Sequence, residues 1–412
     1  MFFAYLKESK QKKVWNYKWL NYIYLNILNL IEINKIILNI FLYVTVILTC
    51  YRCACNNNKA NISSLRLVIS EADFEKVKQK RIEALNKNLL IKSKDDYVSG
   101  SLEVNGEIIK VKTRLKGDHP DHFEGNRWSF RIVGENEKIF NHKKISVQGV
   151  NTRGYITEWI FHKLLKEEGI IYLQYKFLPF SVNDTLEGIY AIESHFDNHL
   201  LELSNREYGP IFKFNEDDFW DYSKFSGKRN RDDLLMISSL IQLTNKKWGK
   251  SNQEIVNVAK SLLDSFRNAK ITCKEVFDLK IWAKYIAINE LMGSDHALRW
   301  HNLRFYYNPN TEKFEPIGFD CSSWMAKKPV YFKSDNIELF HSLMFKDSQY
   351  INLINEELKI VSERKYMNDF FKKYEKEIKE NESLIVKEKE NYKFWKSSFY
   401  ESQKRIINNL KL

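Results

Sequence analysis

Apolar and polar residues alternate with a period of two over much of the chain from Ser64 to Phe214, and beyond Asp217 the apolar spacing lengthens to the three-to-four of helices. "SLRLVIS" at Ser64–Ser70 predicts a strand, and "EADFEKVKQKRIEALNK" a charged helix with Phe74, Val77, Ile82 and Leu85 toward the core. Asn105-Gly106 between alternating apolar residues is a strong hairpin signal, so Ser101 to Arg114 reads as two antiparallel strands. "RWSFRIV" and "KKISVQGV" read as two more, joined through the turn "GENEK". "ITEWIFHKLLKEEG" carries Trp159, Ile160, Leu164 and Leu165 at helical spacing with Gly169 as its C-cap, and "YKFLPFSVNDTLEGIYAIESH" is a hairpin turning at Asn183-Asp184.

In the second half "DDFWDYSKFSGKRNRDD" reads as a polar connector. "DDLLMISSLIQLT", "EIVNVAKSLLDSFRNAK", "DLKIWAKYIAINELMG" and the Lys- and Glu-rich segments from Asp347 onward read as amphipathic helices. Strands first and helices second predict an α+β chain of two lobes: a strand-rich N-terminal lobe at 59–222 and a helical C-terminal lobe at 223–412. Residues 1–58 stand apart. "IILNIFLYVTVILTCY", Ile36 to Tyr51, is short for a spanning helix and suits the core of a signal peptide. Cys50 or Cys53 then offers a lipoprotein-type anchor, while the apolar "WLNYIYLNILNLI" upstream favours an uncleaved membrane anchor. Either way the expectation is export to the cell envelope, with membrane association through the N-terminus.

Composition narrows the chemistry. Hydrophobic residues at 44% support a packed core rather than a disordered chain. The net charge of +12 is scattered through Lys-rich surface, with no clustered reader motif, so no nucleic-acid partner is expected and anionic partners such as nucleotides are. Three of the five cysteines crowd at Cys50, Cys53 and Cys55, far from Cys273 and Cys321, which is no disulfide framework.

The chain has no P-loop, dinucleotide fingerprint, nucleophile elbow or HExxH. The richest stretch is "GSDHALRWHNLRFYYNPNTEKFEPIGFD", Gly293 to Asp320. A helix ends at Gly293, a polar loop presents Asp295, His296, Arg299, His301 and Asn302, and a hairpin around "NPNTE" returns the chain so that Asp320 lies near Asn302. Phosphoryl transfer uses such a layout, because Mg²⁺ takes hard oxygen ligands from two backbone segments. The plainer alternative is that Asp295 caps a turn and Asp320 is a surface acid. In "RLKGDHPDHFEGNRWSFR", Arg114 and Lys116 end a strand where cations meet phosphates, whereas Asp118, His119, Asp121 and His122 offer a divalent-metal alternative of hydrolase type. Glu193 at a strand end and Lys213 on a short apolar segment form a further pair: a buried Lys for nucleotide phosphate, oriented by a Glu.

Taken in order, "VKTRLKGDH", "NRWSFRI", "GIYAIESHFD" and "DHALRWHNLRFYYN" followed by "FEPIGFD" resemble the CotH kinase family of atypical, secreted kinases, over roughly Ile108 to Trp324. The resemblance implies a two-lobed, protein-kinase-like fold, ATP with Mg²⁺ as cofactors, and transfer to a protein or glycan hydroxyl. It further implies Asp295 and Asp320 as catalytic acids, Asn302 and Asp320 as metal ligands, and, more loosely, Arg114, Glu193 and Lys213 as nucleotide-binding groups, to which the strand-end reading adds Lys116. One departure stands out: the family pattern Pro-Trp-Asp-x-Asp is here Gly318-Phe319-Asp320-Cys321-Ser322, so Ser322 replaces the second acid. The alternative to an exported kinase is therefore a non-catalytic envelope or interaction protein of the same fold.

Overall fold

The computed structural model describes residues 64–217, 232–322 and 337–410. The leader and its cysteines, most of the polar connector after Asp217, and Trp324 lie outside the described residues. Contacts divide the chain at residue 62, and everything below concerns the later unit.

The sequence alternation becomes strands β1 (Leu65–Ile69), β2 (Val98–Val104), β3 (Glu107–Leu115), β4 (Phe130–Gly134), β5 (Lys144–Gly149), β6 (Tyr175–Val182) and β7 (Leu186–Glu193). They close into a seven-stranded barrel in the order β1-β2-β3-β4-β5-β7-β6, every pair antiparallel except β1 with β6. The alternate positions Leu65, Leu67, Leu102, Val111, Phe130, Ile132, Ile145, Val147, Phe180 and Ile192 fill its interior, each at most 2% exposed. The expected two-lobed, kinase-like fold is thereby corrected, since the early strands form a closed mixed barrel beside a helical part rather than a sheet lobe. Alternation marks which face of a strand is buried and says nothing about whether the first strand returns to pair with the sixth.

Both hairpin turns use the left-handed conformation their sequences permit: Asn105 and Gly106 have φ of 51° and 84°, Asn183 and Asp184 of 48° and 54°. Asn183 also fastens the closure. Its Oδ1 accepts from the Ile69 amide and its Nδ2 donates to the Ile69 carbonyl, both at 2.8 Å. Asn183→Ala removes both bonds and leaves a non-glycine residue at positive φ, so it is expected to cost about 2 kcal/mol. Urea unfolding that shifts by less than a quarter of that would show the seam to be held otherwise.

Helix α1 (Glu71–Lys87) begins at Ser70, whose side chain accepts from the Asp73 amide at 3.2 Å, and ends at Asn88 in the left-handed region. Phe74, Val77 and Ala84 face the barrel, but Ile82, placed inward by the sequence reading, is 46% exposed. Arg81 takes the inner stripe instead, lying over the Trp128 ring at 4.6 Å with its Nε bonded to the Phe123 carbonyl at 2.5 Å. Helix α2 (Ile156–Glu167) follows β5. After it, β8 (Ile211–Phe214), β9 (Ile241–Leu243), β10 (Arg304–Asn308) and β11 (Lys313–Pro316) make an antiparallel sheet in the order β11-β10-β8-β9. Strand β9 falls within a stretch read from sequence as continuous helix; the helix stops at Ser238 and Ile241 pairs with Phe214.

Helices α3 (Gln253–Arg267), α4 (Leu279–Met292), α5 (Ser348–Ser362) and α6 (Ser397–Leu410) form most of the helical part. Helix α4 is buried nearly all round from Trp282 to Met292, capped by Asp278 at its start and by Gly293 in the left-handed region at its end. Its core is continuous with the outer wall of the barrel, where Tyr175, Phe177, Ile189 and Ala191 join Phe161, Leu165, Trp282 and Ile286. Near the C-terminus Glu388 reaches back to the same wall, accepting from Arg127 Nε and from the Ile189 amide, both at 2.6 Å.

Candidate functional site

Strand register alone lays out one side of the site. Arg114 lies opposite Arg131, Arg131 opposite Ser146, Ser146 opposite Glu193 and Glu193 opposite Tyr175, a single row across five strands on the outer face of the barrel. Lys116, just past the end of β3, is buried and donates to Gln148 Oε1 at 2.5 Å. Gln148 Nε2 and Ser146 Oγ in turn each donate to the Glu193 carboxylate at 3.3 Å. Burial pushes the Lys116 amine down to about 7, with Glu193 opposing it. Burial alone would raise the Glu193 carboxyl, but Lys116, Arg153 and Arg131 outweigh it and hold that carboxyl below its ordinary value.

The facing side comes from β8 and from the loop after α4. Lys213 on β8 pairs with Glu216 at 3.0 Å, and Arg304 on β10 lies 3.9 Å from the same carboxylate. Burial would raise Glu216, yet Lys213 and Arg304 bring it down to about 2. Gly293 turns the chain out of α4 into the loop, and the β10–β11 hairpin pairs Asn308 with Lys313 and Phe305 with Pro316, carrying Asp320 back. Asn302 Nδ2 donates to the His296 carbonyl at 3.0 Å, and His296 Nε2 lies 3.5 Å from Asp320 Oδ2. Asp295 is held by Arg299, whose Nη1 lies 3.3 Å from Glu338.

All seven residues singled out in the sequence, Arg114, Lys116, Glu193, Lys213, Asp295, Asn302 and Asp320, line one cleft of about 1040 Å³ between the barrel wall and the helical part. His119 and His122 reach it too, but His122 is buried against Ser129, Nδ1 to Oγ 3.1 Å, and Asp121 stands 4.0 Å away. Among the described residues no group of three or more His, Cys, Asp or Glu side chains is gathered to hold a metal ion, and the hydrolase alternative gains no support.

Three parts of the site were not read from the sequence. Arg153, in the turn after β5, is buried against Asp320, whose Oδ1 nevertheless receives no directed hydrogen bond. Glu158 on α2 is fully buried; its carboxylate accepts from the Cys321 amide at 3.2 Å and the Ser322 amide at 3.0 Å, with His162 Nε2 at 3.4 Å. The backbone it grips is strained, with Asp320 at φ 56° and Ser322 at φ 42°. Glu158 and His162 stand one helical turn apart, the spacing at which an acid and an imidazole meet, but they share the polar side of α2 with Lys163 and Lys166 and so read as surface residues. The third part is the pair Arg131 and Lys144 on β4 and β5.

Magnesium fits this chemistry in part. Asp320 and Asn302 supply hard oxygens, and Mg²⁺ commonly takes one or two carboxylates and completes its shell with water and substrate phosphate. Arg153 now occupies the Asp320 carboxylate, so an ion there requires Arg153 to turn away. Among the described residues no helix is long and apolar enough to cross a membrane. No family model matches the chain, and no curated protein matches it.

Proposed function

We propose that the cleft binds a nucleoside triphosphate with Mg²⁺ and transfers its terminal phosphate to a hydroxyl group. The observation that carries this reading is the convergence, in one cleft, of buried cations with the acids and amide of the 295–320 segment. Asp320 and Asn302 would hold the Mg²⁺, whose contribution would be to offset the negative charge of the phosphate. Lys116, fixed by Gln148 and oriented toward Glu193, and Lys213, held by Glu216, would receive phosphate oxygens, with Arg114 beside them. Asp295, positioned by Arg299, would accept the proton of the attacking hydroxyl as its oxygen bonds to the terminal phosphorus. The bond from that phosphorus to the bridging oxygen breaks, and the nucleoside diphosphate leaves with the electron pair. The motif resemblance to the CotH kinase family supports the same reading, and the activity does not depend on a kinase-like fold. The apolar segment within residues 1–58 supports export and an envelope anchor.

Arg153 on Asp320, together with Ser322 in place of a second acid, favours a second reading: a site that binds nucleotide without turning it over, in an interaction protein. Thermal unfolding of the full chain separates nucleotide binding from none. Mg-ATP at a hundredfold excess over its Kd is expected to stabilise the protein by about 2.7 kcal/mol. No upward shift with Mg-ATP would sink both readings, and a shift without transfer from labelled ATP to envelope extracts would select the second.

A further inference from the structure

The described lining of the cleft carries ten Lys and Arg against seven Asp and Glu, and the surplus has a definite place. Lys213, Arg299 and Arg153 each have a carboxylate partner, and Lys92 has Asp118. On the barrel wall, Arg114 donates to the Leu115 carbonyl at 2.7 Å and lies over the Tyr97 ring, its Nε buried without a hydrogen-bond partner. Among the described residues the Arg131 side chain donates to His195 Nδ1 alone, at 3.3 Å, with the charge of Glu193 farther off. The Lys144 amine has no hydrogen bond, and no acid within ion-pair distance, among the described residues; Asp197 acts on it from farther off. Yet register sets Arg114 directly opposite Arg131, and Lys144 on the adjoining strand, two residues from Ser146, the partner of Arg131. Like charges in such cross-strand positions repel. Burial first, then Arg131 and Arg114, bring the Lys144 amine down to about 7, and burial with Lys144 and Arg131 pushes the His195 imidazole well below its ordinary range.

Among the described residues no carboxylate lies within ion-pair distance of Arg114, Arg131 or Lys144; Glu193 acts on Arg131 and Asp197 on Lys144 only from farther off, which leaves this stretch of the barrel wall a positive surplus suited to an anion. The proposed nucleotide is already matched by Lys116 and Lys213, with Arg114 standing between its phosphates and the remaining pair, Arg131 and Lys144. We propose that Arg131 and Lys144, bordered by Arg114, form a second phosphate subsite that receives an anionic group of the acceptor, so that the hydroxyl substrate is itself a phosphorylated molecule. The reading of the acceptor rests on the proposed transfer activity; the subsite does not.

Calorimetric titration of the full chain with inorganic phosphate, in Mg²⁺ and saturating AMPPNP, a non-hydrolysable ATP analogue, tests this. Phosphate is expected to bind with the analogue in place, and R131Q/K144Q to weaken it at least tenfold while analogue affinity stays within twofold. With the repulsion removed, that variant is also expected to unfold at a temperature no lower than the wild type. If it fails to fold, K144Q alone must weaken phosphate at least threefold. Absence of phosphate binding, displacement of the analogue by phosphate, or undiminished affinity in the variants would overturn the subsite. Phosphate binding that is lost in the variants of a protein that never binds the analogue would uphold the subsite and remove the nucleotide reading instead.

Discussion

Asp320→Asn is expected to reduce phosphate transfer by about 10²–10³-fold, the scale on which enzymes lose rate when one element of the preorganised electrostatics around the reacting group is removed. Two losses combine there. The neutral amide is a poorer hard-oxygen ligand, and Arg153, buried at 6% exposure, loses its ion-pair partner and keeps only the more distant Glu193. Stranding a buried charge costs roughly 3 kcal/mol, so the variant should also unfold at lower denaturant. Asp320→Asn with Arg153→Met separates the effects: stability should return, because the unmatched charge is gone, while transfer should not. A double variant that regains transfer would show that Asp320 serves only to neutralise Arg153. A single variant as active as the parent would remove Asp320 from the chemistry.

Glu158→Gln should destabilise the protein about as much as Asp320→Asn does. The carboxylate accepts two amides with its two oxygens, and the amide side chain turns one acceptor into a donor aimed at a backbone N–H. Bonds to charged groups are worth about 1.5–3 kcal/mol each, so a loss of about 3 kcal/mol is expected from the missing bond and the unsatisfied amide together. The segment it releases is Asp320 to Ser322, whose two left-handed residues have little other reason to hold that shape. Transfer should therefore fall along with stability. Chemical unfolding is the direct check; a midpoint that corresponds to less than about 0.5 kcal/mol would mean that Ser294, bonded to the Cys321 carbonyl, holds the turn unaided.

The parts legible in the sequence were those set by neighbours in the chain. Asn105-Gly106 and Asn183-Asp184 mark hairpins because only a few residue types accept their backbone angles. Asp278 and Gly293 bracket α4 for the same local reason. The 295–320 acids stood out because a helix end, a polar loop and a hairpin lie in one continuous stretch. The pairing of Leu65 with Phe180 was not legible, since nothing local distinguishes a strand that ends a sheet from one that closes a barrel. Arg153 and Glu158 escaped for a related reason: a turn Arg and a helix Glu look like surface residues until the segment that covers them is known. Ile82 went wrong in the other direction, as a strongly apolar residue one step off the stripe that Ala84 and Arg81 occupy.

The row of cations on the barrel wall joins strands that follow one another closely, whereas Glu158 meets Ser322 across 164 residues and Arg127 meets Glu388 across 261. Closing such long loops comes late, after nearby segments have already paired. During synthesis the barrel can thus present Arg114, Arg131 and Lys144 to solvent well before Asp320 and Glu388 have emerged. The helical half would then dock onto a wall whose charge is already laid down, and the order of assembly would run from the phosphate-attracting side of the cleft to its acids.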